Sequence, residues 1–181
     1  SFYTDFYGFW AWDSWKQAAA LSYFSPKLAK NQIKAMFALT DSTGMVPDVI
    51  YPNPMENNFR NTKPPLAAWA VAKYLRNSSD TAFGREILPS LIKYHQWWYR
   101  HRDNNHNKLC SWGSCDGTSL AATWESGMDK AIRFNNLQMI KSSQNSYNFN
   151  SESIDLNTWL YIEKLKIADI ATQLGETKVA Q

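Results

Sequence analysis

Residues 123–129 read Thr-Trp-Glu-Ser-Gly-Met-Asp and place two carboxylates, Glu125 and Asp129, four positions apart. If the segment is helical, that spacing puts both on one face. One carboxylic acid can protonate a leaving oxygen while a second carboxylate, roughly 6.5–9.5 Å away, activates water; this division of labour cleaves a glycosidic bond with inversion. The apolar side chains of Trp124 and Met128 are surroundings that favour the protonated form of an acid. An ordinary pair of surface charges has the same spacing. Context has to separate the two readings.

A second constellation is Phe-Trp-Ala-Trp-Asp-Ser-Trp-Lys at residues 9–16. The indoles of Trp10 and Trp12 could stack on the apolar face of a planar or sugar ligand, with Asp13 and Lys16 beside them. The plainer reading makes Trp15 a core residue and Asp13 the cap of a helix. Asp103, Asn105 and Asn107 form the D-x-N-x-N start of a calcium loop, in which alternate side chains wrap a hard cation. The pattern departs from an EF-hand at Lys108, where glycine belongs, and at Ser114, where glutamate belongs; an Asn-rich turn is the alternative. Cys110 and Cys115 flank Ser-Trp-Gly-Ser, too wide for a redox Cys-x-x-Cys and without histidine partners for zinc. A Cys110–Cys115 disulfide and two free thiols are both open, and the bonded form would favour a periplasmic or secreted protein. His95, His101 and His106 show no metal-ligand spacing.

The elements that must position these residues read as helices. Asp13 to Phe24 is rich in helix formers, and Ser25-Pro26 restarts a helix to about Leu39, with Ser25 as cap and Pro26 at the first helical position. Residues 40–63, with Pro47, Pro52, Pro54 and several Asn, hold no period and predict a long irregular loop of the kind that carries function. A second hairpin follows, Leu66 to Leu75 and Thr81 to Arg102, with Pro89 expected to kink or divide the latter. After a loop over 103–124 come a short helix around Ser126–Phe134, a polar Asn/Ser-rich passage and a helix from Ile154 to Leu174 ended by Gly175. Strand signals are almost absent.

Composition narrows the class. Of 181 residues 44% are hydrophobic and 15% aromatic, enough for one packed domain with flat apolar faces to spare for a core or a cleft. The net charge of +3 is scattered without long like-charge runs, which argues against a nucleic-acid arm. No apolar stretch approaches the roughly 18–20 residues that span a bilayer, and the N-terminus lacks a signal-peptide layout.

Five blocks occur in an order that resembles glycoside hydrolase family 63. They are Phe9-Trp10-Ala11-Trp12-Asp13-Ser14-Trp15-Lys16, Gly44-Met45-Val46-Pro47-Asp48, Asn61-Thr62-Lys63-Pro64-Pro65, Trp97-Trp98-Tyr99-Arg100 and Trp124-Glu125-Ser126-Gly127-Met128-Asp129. The likeness extends over most of residues 3–175 and is weakest over 140–152. It implies an all-α (α/α)6 toroid, about half of it within residues 1–181 as one partial catalytic domain, and inverting hydrolysis of terminal α-glucosides or related α-glycosides. By the same resemblance Asp129 is the general acid, and Trp10, Trp12, Asp13 and Lys16 line the subsite of the terminal sugar. Asp48, Asn61, Lys63 and Trp124 are expected at that site too, and Glu125 supports the acid or binds a sugar hydroxyl. Related barrels can hold calcium near residues 103–107, as a structural ion and not as a reagent. The base is expected beyond Gln181, on a missing C-terminal half that would act as partner to this one. The alternative is a non-catalytic or degenerate carbohydrate-binding barrel, and neither reading involves nucleic acid or membrane.

Overall fold

In a computed structural model, residues 7–176 and 178 are described; residues 3–6 of the resembling stretch lie outside them. Among the described residues six α-helices carry the domain: α1 (Ala11–Leu21), α2 (Pro26–Phe37), α3 (Ala67–Ser78), α4 (Thr81–Arg102), α5 (Ser119–Ser126) and α6 (Ile154–Leu174). Helices α1, α2 and α3 pack together, and α6 lies against both α3 and α4. No described helix is long and apolar enough to cross a membrane.

The helix limits follow local chemistry. Pro26 opens α2, where its missing N–H costs nothing. Ser25 stands at the cap position, but its side chain makes no capping bond. Asp80 caps α4 by accepting from the Phe83 amide at 3.0 Å and also pairs with Lys30 of α2 at 2.9 Å. Of the kink or division expected at Pro89, division does not occur: α4 is continuous from Thr81 to Arg102, because its face of Ile87, Leu88, Leu91, Tyr94 and Trp98 is buried and outweighs one lost backbone bond. Helix α1 begins two residues earlier than expected, with Trp10 at its cap position, so Asp13 is an acidic residue inside the first turn and not the cap. Its charge there still suits the helix dipole.

The larger correction is strand. A two-stranded antiparallel sheet pairs β1 (Phe9–Trp10) with β2 (Val49–Ile50), and a three-stranded one is ordered β3 (Gly113–Ser114), β5 (Ser146–Phe149), β4 (Met139–Ser143). Ser143 pairs with Ser146, so Gln144 and Asn145 form a two-residue turn, with Asn145 at φ 58°. The polar passage gave no strand signal because its buried face is itself polar. Ser146 and Asn148 are sealed, and both donate to the His101 carbonyl at the end of α4, at 2.6 and 3.1 Å.

Most aromatic surface goes into the core. Trp15, Trp97, Trp98 and Trp112 are fully buried, and Trp98 meets both Trp97 and Trp112 edge to face. Trp10, Trp12 and Trp124 are half-buried.

Candidate active site

A cleft of about 520 Å³ opens between β1, β2, the loop after β2 and the end of α5. Trp10, Asp48, Lys63, Trp124 and Asp129 line it, five of the residues singled out by sequence, from segments up to 119 positions apart (129 − 10). Pairing of β1 with β2 sets Trp10 beside Val49, and Tyr51 then stands edge-on to Trp10 at 6.2 Å. Tyr51 and Arg60 also line the cleft and were missed. The available signal was their position inside the long Pro/Asn-rich loop.

Glu125 and Asp129 do not share a helix face. Helix α5 ends at Ser126 because Gly127 adopts a left-handed conformation, φ 69°, and turns the chain away. A Cβ on Gly127 would come within 2.7 Å of the Trp12 indole, so Trp12 packs against the turn that leads to Asp129. Asp129 is left exposed on the cleft, and Met128 is 40% exposed, so the expected apolar enclosure is not supplied by the described residues.

Glu125 faces the opposite way. It is wholly buried and takes a two-pronged bond from Arg102 of α4, Nε to Oε1 and Nη2 to Oε2, both 2.7 Å. The amides of Gly113 and Thr62 complete its shell at 2.8 and 3.2 Å. Of the two roles expected for it, support fits and contact with a sugar hydroxyl does not, since no surface of the carboxyl is reachable. Burial is the strongest single influence on Arg102 and works to lower its pKa, but the charge and hydrogen bonds of Glu125, together with Cys115, outweigh it and hold the guanidinium above its ordinary value.

Lys63 and Asp48 form the cleft's buried polar floor. The Lys63 ammonium donates to the Trp124 carbonyl in the last turn of α5 and lies 3.2 Å from Asp48 Oδ1. Asp48 Oδ2 accepts from Asn58 Nδ2 at 2.8 Å, whereas Oδ1 has no hydrogen bond among the described residues. Burial pushes the Asp48 pKa up, and Lys63 pulls against it.

The remaining expected residues fall elsewhere. Asn61 is fully buried, accepting from Asn58 and donating to the Thr62 carbonyl, and it shapes the loop instead of facing the cleft. Asp13 and Lys16 pair with each other at 3.1 Å, and the Lys16 ammonium sits 3.8 Å above the Trp12 ring. Neither they nor Trp12 lines the cleft. At the proposed calcium turn, both Asp103 oxygens accept backbone amides, from Asn107 and Lys108, and Asn107 Oδ1 accepts from Leu109. The Asn105 and Asn107 side-chain amides both donate to Glu152. The turn is thus closed by bonds among its own residues and to Glu152, as in an Asn-rich turn. Among the described residues no group of three or more His, Cys, Asp or Glu could hold a metal. Cys110 and Cys115 are both free. Their sulfurs face Trp98 and Met45 respectively, which removes the disulfide and the argument for an oxidising compartment built on it.

The profile of the mannosylglycerate hydrolase MGH1-like glycoside hydrolase domain matches residues 6–181. The chain belongs to that family. Its expected kinship with glycoside hydrolase family 63 is thereby borne out, and the domain is a helical glycosidase domain with small sheets. It is 29% identical over 145 residues to mannosylglycerate hydrolase MGH1 of Selaginella moellendorffii, covering 67% of this chain and 28% of that protein. An uncharacterized conserved protein from Thermus thermophilus shares the fold at a TM-score of 0.72 with 16% identity, over 94% of this chain and 53% of that one. The family 63 mannosylglycerate hydrolase of the same organism, in complex with glucose, superposes at 0.67 with 16% identity over the same shares. The chain thus spans about half the length of these structural relatives and 28% of the plant hydrolase.

Proposed function

We propose that this chain forms the acid-bearing part of an inverting glycoside hydrolase that cuts terminal α-glycosidic bonds, glucosides first. Asp129 is the general acid, and the base lies outside residues 1–181, on the half that would complete an (α/α)6 toroid. The observation that carries this reading is the exposed Asp129 carboxyl on a cleft walled by the indoles of Trp10 and Trp124. Indole faces suit the apolar face of a pyranose, and the polar floor of Asp48 and Lys63 suits its hydroxyls. In this scheme Asp129 hands its proton to the glycosidic oxygen as the bond to the anomeric carbon breaks. Water activated by the base adds from the opposite face.

Both cations on the cleft are already paired, Arg60 with Asp116 and Lys63 with Asp48, which favours a neutral oligosaccharide or disaccharide. A second reading, a mannosylglycerate hydrolase, is favoured by the family match and by the names of the relatives. The deciding experiment offers the full-length protein a panel of α-linked disaccharides and mannosylglycerate, following the anomer released by NMR. Release of the β-anomer from an α-glucoside is expected. Cleavage of mannosylglycerate alone would select the second reading, and release of the α-anomer would overturn inversion.

A further inference from the structure

Arg60 is bound by its guanidinium and by its carbonyl to the segment that leads into α5. Its Nε donates to Asp116 Oδ2, and Nη2 donates to Thr118 Oγ1 at 3.0 Å. Thr118 in turn caps α5 by accepting from the Ala121 amide at 3.3 Å, and Asp116 Oδ1 accepts the Thr118 amide and hydroxyl at 2.9 and 2.8 Å. The Arg60 carbonyl accepts from the Cys115 amide at 2.6 Å. With one edge of the guanidinium fixed this way, its Cζ lies 5.3 Å from the centre of the Trp124 ring, within cation–π reach.

The backbone at Trp124 is held by other groups, Lys63 at its carbonyl and Glu125 beside it through Arg102. Those bonds place the Cα and leave the indole torsions open. Trp124 is half-buried at the cleft, so its ring direction decides the shape of that wall. The Arg60 guanidinium lies over the ring, and Arg60 also lines the cleft. Its charge is met by Asp116, so its part here is geometric and not the capture of an anion. A lysine carries the charge without the planar fork and could not hold the anchors and the ring together.

We propose that Arg60 is a positioning residue that fixes the Trp124 indole as one wall of the cleft and so sets how tightly a sugar is held against it. The statement about sugar rests on the glycosidase reading; the coupling of Arg60 to Trp124 does not.

The test uses the full-length protein labelled with 5-fluorotryptophan, the Trp124 resonance being identified by its loss in Trp124→Phe. In Arg60→Lys that resonance is expected to shift or broaden, while those of the buried Trp97 and Trp98 stay in place. KM for an α-linked disaccharide should rise about fivefold to tenfold, with kcat changed less than about threefold. In a Trp124→Ala background Arg60→Lys should add no further rise in KM. An unmoved Trp124 resonance, or effects on KM that simply add, would overturn the proposal. Should Arg60→Lys fail to fold, Asp116→Asn keeps the guanidinium, frees its edge, and is expected to move the same resonance. If the wild type turns over no glycoside, the glycosidase reading fails by itself, and the fluorine spectrum still decides the coupling.

Discussion

Asp129 and Glu125 show how four positions can separate two roles. Asp129 is exposed at the cleft and Glu125 is sealed behind it, because the left-handed Gly127 stands between them. Under the proposed function, Asp129→Asn removes a proton donor and little volume. We expect kcat for a disaccharide to fall about 10²- to 10⁴-fold, with a much smaller loss for an aryl glycoside whose leaving group needs no proton. Equal losses on both substrates would remove Asp129 from the acid role. Glu125→Gln is the contrasting case, since it leaves the Arg102 guanidinium buried opposite a neutral amide. A loss of about 3 kcal/mol in denaturant unfolding is expected, because half of a buried ion pair costs more than the whole pair is worth. An unchanged midpoint would count against that account. The pair Glu125 and Asp129 was legible in sequence, and the family resemblance gave them different roles, but spacing did not show that one would face the cleft and the other the interior: it speaks only of a helix, and here the helix stops.

At the scale of elements, α3 lacks a side-chain cap of its own, and Glu163 of α6 supplies one from 95 residues away in sequence. Its two carboxyl oxygens accept the Ala68 and Trp69 amides at 2.9 and 3.1 Å. Burial raises its pKa from the ordinary 4.5 to about 8, against the pull of those two amides. A raised folded-state value means the native protein holds a proton that the unfolded chain has released. Stability from this group is therefore full below about pH 4.5 and is lost as pH rises through about 8. Unfolding free energy measured from pH 5 to 9 should decline with pH in the wild type, and Glu163→Gln should flatten that decline; parallel curves would disprove it. Along the sequence Glu163 is one of several acidic residues of α6, and no local signal shows that it caps a distant helix, since only the packing of α6 on α3 brings the two together.

For the whole molecule, the proposed acid and its missing base imply that residues 1–181, expressed alone, turn over no α-glycoside at a useful rate. Large apolar side chains such as Phe24, Ile154 and Tyr161 are 74%, 87% and 63% exposed, and each Å² left uncovered forgoes about 25 cal/mol. Adding the remaining segment of the full-length protein in trans should raise the melting temperature and restore turnover. Cooperative melting together with full turnover by residues 1–181 alone would defeat both the missing-base and the half-toroid proposals.

Local chemistry was enough for much of this chain. The limits of α4 and α6, the Pro26 start of α2 and the core place of Trp15 follow from caps, proline geometry and the 3.6-residue period, each set within a few neighbouring residues. The five sequence blocks likewise carried the family. Tertiary structure alone decided which block residues meet. Trp10, Asp48, Lys63, Trp124 and Asp129 converge, while Asn61 and Glu125 turn inward and Asp13 pairs with Lys16. It also decided the β4–β5 hairpin, whose inward face is polar because the carbonyl ending α4 needs donors. Such choices rest on hydrogen-bond partners tens of residues apart, and a pattern read along the chain holds no record of which distant group will arrive to satisfy them.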